Sequence, residues 1–285
     1  MEFDNLNRFL MEKGDKLFDT SNRSLKYGDG VFETMRLIKG KIMFWDDHYA
    51  RLERGLKYLK IDISLKGKDF WQEEIERLVV KNNYTEARIK LTAYRDSPGL
   101  YTPMGNRLGF IIEGLSYDNS TYNHMSEGIT LGVFENDFKA ISPVSNLKTT
   151  SALLFVIASI DKKERELGEL VVLNTSERVC EGTASNIFLR IGNELHTPSL
   201  KEGCLDGVMR KQIINFFSQK NNAVSQGEVT VDMLEKADEI FLTNTLSGVQ
   251  AIGSFRGRVL NNDTAGELQN YLKYLVSQIT QKNLF

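Results

Sequence analysis

The sequence predicts a mixed α/β (α+β) chain of two domains. Three observations lead there. The chain has 285 residues, above the usual size of one domain. Both halves mix period-two apolar alternation with three-to-four periodicity, the marks of strands and helices. A polar, turn-rich stretch over 116–123 separates them. The expected division is a small N-terminal α/β domain over 1–115, a linker over 116–123 and a larger C-terminal α/β domain over 124–285 that carries Lys148. A hydrophobic content of 41% and a charged content of 26% supply a core for both.

Each element follows from its own pattern. Residues 31–38 and 42–44 flank the turn Lys39-Gly40-Lys41 and predict a hairpin. Residues 46–59 predict a helix, because Leu52, Leu56 and Leu59 share one face and Asp46 or Asp47 can cap its start. A second helix covers 68–82, with Phe70, Ile75, Leu78 and Val79 recurring at helical spacing. Residues 87–95 alternate like a strand, and 107–113 form an apolar one. Past the linker come a strand over 129–134, a helix over 150–167 and a strand over 169–173. Residues 186–191 and 194–197 flank Gly192-Asn193 and predict a second hairpin. A helix over 208–219, a strand over 239–243 and a closing helix over 264–282 complete the chain, with Leu268, Tyr271, Leu272 and Leu275 inward on the last.

Composition excludes several function classes. A net charge of −2 gives no electrostatic footprint for nucleic acid or an anionic membrane. Charges interrupt the first twenty residues, which lack the apolar core of a secretory signal. No run approaches the roughly 18 apolar residues of a membrane span. Cys180 and Cys204 make no disulfide framework and suit a reducing, cytoplasmic setting. Burial as small apolar side chains is the ordinary reading of both. His48, His124 and His196 lie far apart with no Cys or His companion, so no metal site is expected.

The chemistry-bearing residues come in a fixed order. Lys148 sits in Ser145-Asn-Leu-Lys148-Thr-Thr, among small polar residues and just before an apolar helix. A lysine becomes an imine-forming nucleophile when burial or nearby cations disfavour its ammonium; most lysines are solvated instead. Glu181 opens Glu181-Gly-Thr-Ala-Ser185-Asn186, 33 residues later. A carboxylate beside a pyridine nitrogen favours the protonated ring, whereas an ordinary glutamate there only caps a turn. Gly207-Val208-Met209-Arg210 opens a helix, whose free N–H groups and dipole favour an anion. Asp206 just ahead has the simpler reading of an N-cap. Arg51 lies on the first predicted helix and can grip a phosphate in bidentate fashion, unless it is merely solvated. Thr243-Asn244-Thr245 adds hydroxyls at a strand end. Amine, carboxylate and helix-opening turn together are the parts needed to hold pyridoxal 5′-phosphate.

At this point the chain resembles the class IV aminotransferases, the fold-type-IV pyridoxal-phosphate family of branched-chain aminotransferases, D-amino acid aminotransferases and 4-amino-4-deoxychorismate lyases. The resemblance runs from Tyr27-Gly-Asp-Gly-Val-Phe-Glu-Thr34-Met-Arg36 through His48-Tyr-Ala-Arg51, Lys148, Glu181–Phe188 and Gly207–Arg210 to Phe241-Leu-Thr-Asn-Thr245. It implies a two-domain fold with pyridoxal 5′-phosphate at the domain interface. It also implies that Lys148 forms the imine and shuttles the proton, and that Glu181 pairs with the ring nitrogen. Arg51, the amides of Val208 and Met209, and Thr245 would hold the phosphate. Tyr27, Thr34, Arg36, Arg88 and Lys90 are the implied substrate contacts, and residues 88 and 90 share one strand face. A homodimer is implied as well.

Within the family, Leu153 stands where branched-chain enzymes usually carry a tyrosine, five residues after the lysine. Gly28-Asp29-Gly30 and Thr34 look like the D-amino acid and lyase branches, while Asp96-Ser-Pro-Gly-Leu100 lacks the basic, glycine-rich character associated with the lyases. The expected activity is amino transfer from an amino acid to a 2-oxo acid. Release of p-aminobenzoate and pyruvate from aminodeoxychorismate is the alternative.

Overall fold

A computed structural model describes residues 1–15, 18, 20–117, 120–122 and 128–279. His124 and part of the expected linker lie outside the described residues. The chain packs as two units. Unit 1 comprises Met1–Thr121, Leu147–Ala152 and, at the C-terminus, Gln278 and Ile279; unit 2 comprises Tyr122–Asn146 and Leu153–Ser277.

Unit 1 is a six-stranded sheet carrying helices. Its strands are β1 (Phe3–Leu6), β2 (Phe9–Glu12), β3 (Gly30–Ile38), β4 (Lys41–Ile42), β5 (Ala87–Arg95) and β6 (Leu108–Ser116), in the order β2-β1-β6-β5-β3-β4. Its helices are α1 (Arg23–Tyr27), α2 (Trp45–Tyr58) and α3 (Lys68–Lys81). Strict alternation on β3 and β5 sorts the side chains by face. Met35, Leu37, Ile89 and Leu91 pack with Leu52 and Leu56 of α2 and with Trp71, Ile75 and Leu78 of α3. Each fully buried leucine contributes about 2 kcal/mol of transfer free energy. Helix α2 starts differently from expectation. Phe44, in the left-handed region at φ 57°, precedes it, and no side chain caps it; Asp46 and Asp47 instead lie inside the first turn, where their charge favours the dipole.

Unit 2 is built on a larger sheet. Its strands are β7 (Ile129–Lys139), β8 (Glu169–Asn174), β9 (Val179–Gly182), β10 (Asn186–Ile191), β11 (Glu194–Pro198), β12 (Ser225–Gly227), β13 (Glu239–Asn244), β14 (Gly248–Phe255) and β15 (Arg258–Val259). Among the described residues the order is β12-β11-β10-β13-β14-β7-β8-β9, with β15 on β14. Helices α4 (Leu153–Glu164), α5 (Val208–Gln219), α6 (Val231–Lys236) and α7 (Asp263–Ser277) accompany it. Leu268, Leu272 and Val276 of α7 are buried, while Tyr271 and Leu275 are half-buried.

One difference places a key residue. The helix expected from 150 begins at Leu153. The six residues before it, Leu147–Ala152, belong to unit 1, where the backbone of Lys148, Thr149 and Thr150 pairs with β3. Phe32 N–H donates to Lys148 O at 2.8 Å, Thr149 bridges Val31, and Thr150 N–H donates to Gly30 O at 2.9 Å. Lys148, expected in the C-terminal domain, is therefore part of unit 1.

Candidate active site

In unit 1 Lys148 sits beside the strand that carries the expected substrate contacts. Lys148 is half-buried, and its Nζ lies 4.5 Å from the centre of the Phe32 ring, a cation–π distance. Period two puts Phe32, Thr34 and Arg36 on one face of β3 and Val31, Glu33 and Met35 on the other. Thr34 faces Lys90 across the β3–β5 ladder, and Arg36 faces Arg88. The four thus share the Phe32 face. Arg36 is buried, donates from Nη2 to Thr121 O at 2.6 Å, and lies 5.0 Å from the Tyr117 ring. Lys90 approaches Glu113 at 3.5 Å. Tyr27 ends α1, where the Arg23 guanidinium covers its ring at 4.9 Å and Tyr101 packs at 5.4 Å. Arg23 also donates to the carbonyls of Gly99, Leu100 and Tyr101, which fixes the loop after β5.

Arg51 lies on α2 and meets Glu33, on the other face of β3. Its Nε donates to Glu33 Oε1 at 2.8 Å and its Nη2 to Glu33 Oε2 at 2.6 Å. His48 Nδ1 meets the same carboxylate at 2.6 Å, and all three residues are buried. Burial pushes the Glu33 carboxyl up, but the charge and hydrogen bonds of Arg51, with those of His48, outweigh it and hold it at about 2. Burial in turn pushes the His48 imidazole below its usual range, against the pull of Glu33. The bidentate edge that the sequence offered to a phosphate is engaged by Glu33. The signal for this pair was present: an acid on the buried face of a strand requires a partner.

Unit 2 holds the carboxylate and the helix start. Glu181 is 4% exposed and lies on β9, not in a turn. Its Oε2 accepts from Leu205 N–H at 3.0 Å, and its Oε1 is paired with Lys139, which the sequence reading missed. The segment bearing Leu205 is tied down by three asparagines. Asn146 donates to Leu200 O and Cys204 O, Asn174 to Glu202, and Asn186 to Leu205 O at 2.8 Å. Helix α5 follows. Its N-cap is Gly207, not Asp206; no side chain caps it, and its first turn holds no acid. The first-turn amides of Val208 and Met209 therefore keep their donors for an outside acceptor. A Cβ on Gly207 would stand 1.8 Å from Asn186 Oδ1, so only glycine fits. Asn186 pairs in register with Thr243, whose buried Oγ1 has no hydrogen-bond partner among the described residues. Thr245 lies in the following turn, its carbonyl accepting from Tyr122 OH at 3.3 Å. An uncapped helix start, a glycine cradle and an orphaned hydroxyl suit a phosphate, and a buried carboxylate suits a ring nitrogen. The donor set fits pyridoxal 5′-phosphate.

Both cysteines are buried, as the sequence reading expects. Burial pushes the Cys204 thiol up to about 12 and Cys180 higher still, so neither is a nucleophile near neutrality. No helix among the described residues is long and apolar enough to cross a membrane.

Comparison with known proteins agrees with this geometry. The family model for amino-transferase class IV matches residues 30–255. A D-alanine aminotransferase of Listeria monocytogenes is 26% identical over 285 aligned positions, covering 97% of this chain and 96% of the relative. An aminodeoxychorismate lyase of Bacillus subtilis is 30% identical over 255, covering 85% and 82%. The crystal structure of a branched-chain aminotransferase from Thermoproteus uzoniensis shares the fold, with a TM-score of 0.87 at 23% identity and coverage of 96% and 94%. The chain belongs to the class IV aminotransferases, a family of enzymes that work with pyridoxal 5′-phosphate.

Proposed function

We propose that this protein transfers an amino group from an amino acid to a 2-oxo acid, with Lys148 as its catalytic residue. The observation that carries the reading is the Lys148 amine, held 4.5 Å from Phe32 on the strand face that also presents Thr34, Arg36, Arg88 and Lys90. The bound cofactor supplies an electron sink for the pair released at the substrate Cα. Lys148 Nζ would tether the cofactor and take the proton from the substrate Cα. Glu181 holds a proton on the ring nitrogen. The amides of Val208 and Met209 would hold the phosphate, with Thr245 and Arg51 beside them. The basic face of β3 and β5 receives substrate carboxylates, with Tyr27 beside it.

Aminodeoxychorismate lyase activity is the second reading. The B. subtilis relative and the position of Thr34, on the face Phe32 shares, favour it. One assay separates the two. L- and D-amino acids with 2-oxoglutarate or pyruvate are set beside aminodeoxychorismate. Keto-acid exchange is expected; pyruvate released with p-aminobenzoate, and no exchange, would replace the first reading by the second.

The proposed assembly is a homodimer. Leu153, Val156, Ile157 and Ile160 project from α4 as one exposed apolar stripe, wide enough to be a protein-facing surface.

A further inference from the structure

Lys139 is a buried lysine at the Glu181 carboxylate, and no role follows for it from the reaction as described. It reaches Glu181 through an irregularity in the sheet. On β7 the register against β8 jumps from Phe134↔Val172 to Lys139↔Asn174, so five residues of one strand span two of the other. Val172 is in turn opposite Glu181 on β9. Such a bulge re-aims a side chain, and here it lays the Lys139 ammonium on Glu181 Oε1. The same Nζ donates to Ser145 O at 2.9 Å and stands 5.4 Å from the Phe155 ring. Lys139 is 9% exposed and Glu181 4%. Both carboxylate oxygens are therefore held, Oε1 by Lys139 and Oε2 by the Leu205 amide.

The geometry points to Lys139 as a positioning residue that keeps the shared proton on the cofactor's ring nitrogen and off Glu181. This rests on Glu181 being the ring-nitrogen partner. A proton between a buried carboxylate and a pyridine has two places to sit, giving either an ion pair or a neutral pair. Burial alone favours the neutral pair. An ammonium in contact with the carboxylate favours its ionised form and so drives the proton to the ring. A ring nitrogen bound to Glu181 would stand beyond the carboxylate that the ammonium touches, so repulsion there would be weaker than the attraction. Other titratable groups facing the pair do not compete. Cys180 and Cys204 are neutral because burial pushes their thiols up, and Glu202 is already paired with Arg178.

The test reads the proton directly in the cofactor-loaded protein. The cofactor is labelled with nitrogen-15 in the ring, and its resonance distinguishes pyridinium from pyridine. Lys139→Gln keeps a donor for Ser145 O but loses the charge; Lys139→Met loses both. In Lys139→Gln the resonance should move toward the pyridine position, with the apparent ring-nitrogen pKa lowered by about one unit, a tenfold change in the protonation equilibrium. Lys139→Arg should restore the wild-type signal, and Lys139→Met should resemble Lys139→Gln. An unchanged resonance in both neutral variants overturns the proposal. Glu181→Gln separates the two layers. If it abolishes the pyridinium signal while the Lys139 variants do not, only the role of Lys139 fails. If Glu181→Gln also leaves the signal intact, the assignment of Glu181 itself fails.

Discussion

Arg51 closes on Glu33 through two parallel bonds, Nε to Oε1 at 2.8 Å and Nη2 to Oε2 at 2.6 Å, inside the apolar layer between β3 and α2. A fork bonded in this way cannot swing. The helix that follows Phe44 is thereby pinned to the strand whose other face carries Thr34 and Arg36.

This pair makes a pH prediction. The Glu33 carboxyl is held at about 2, below its ordinary 4.5. A depressed carboxyl contributes stability that is complete above the ordinary value and is lost as pH falls through the folded one. Glu33→Gln removes that contribution, about 3 kcal/mol for a shift of this size. Urea denaturation of both proteins should show a constant gap above about pH 4.5, narrowing from there toward pH 2. A gap that stays the same across that window contradicts the assignment.

Gly207→Ala tests the phosphate cradle. The new methyl meets Asn186 Oδ1, so Asn186 must move and release Leu205 O. Core overpacking of this kind costs about 1–3 kcal/mol. Affinity for pyridoxal 5′-phosphate should drop by about tenfold or more, while affinity for pyridoxal, which lacks the phosphate, changes much less. Equal losses for the two ligands would move the phosphate away from α5.

The α4 stripe bears on assembly. Val156→Asp combined with Ile160→Asp places two carboxylates on an otherwise apolar surface. Sedimentation velocity should show the dimer giving way to a particle of half its mass, because charge at an interface core is costly. A dimer that persists in the double variant puts the interface elsewhere.

Several of these features were legible in the chain. Strand β5 and helix α5 came out to the residue, because alternation over Ala87–Arg95 and periodicity over Val208–Gln219 are uninterrupted. Gly207 was visible because it stands at the edge of a regular element, as the N-cap of α5. Strand β9 was not legible, since all four of its residues are buried and no alternation marks it. The early start given to α4 has a similar origin. Thr149 and Thr150 are compatible with a helix locally, and only their distant pairing with Val31 and Gly30 makes them extended. Lys139 depends on a register shift between two strands, which no local pattern encodes. Glu33 could have been found: it interrupts the apolar face of β3 with an acid.

The central claim is that the amine of Lys148 bonds the cofactor. Borohydride reduction of the protein loaded with pyridoxal 5′-phosphate, followed by proteolysis and mass mapping, reads this directly. The label is expected on the peptide containing Lys148, and Lys148→Ala should lose both label and turnover. A label on Lys139, or on any lysine other than Lys148, would contradict the account.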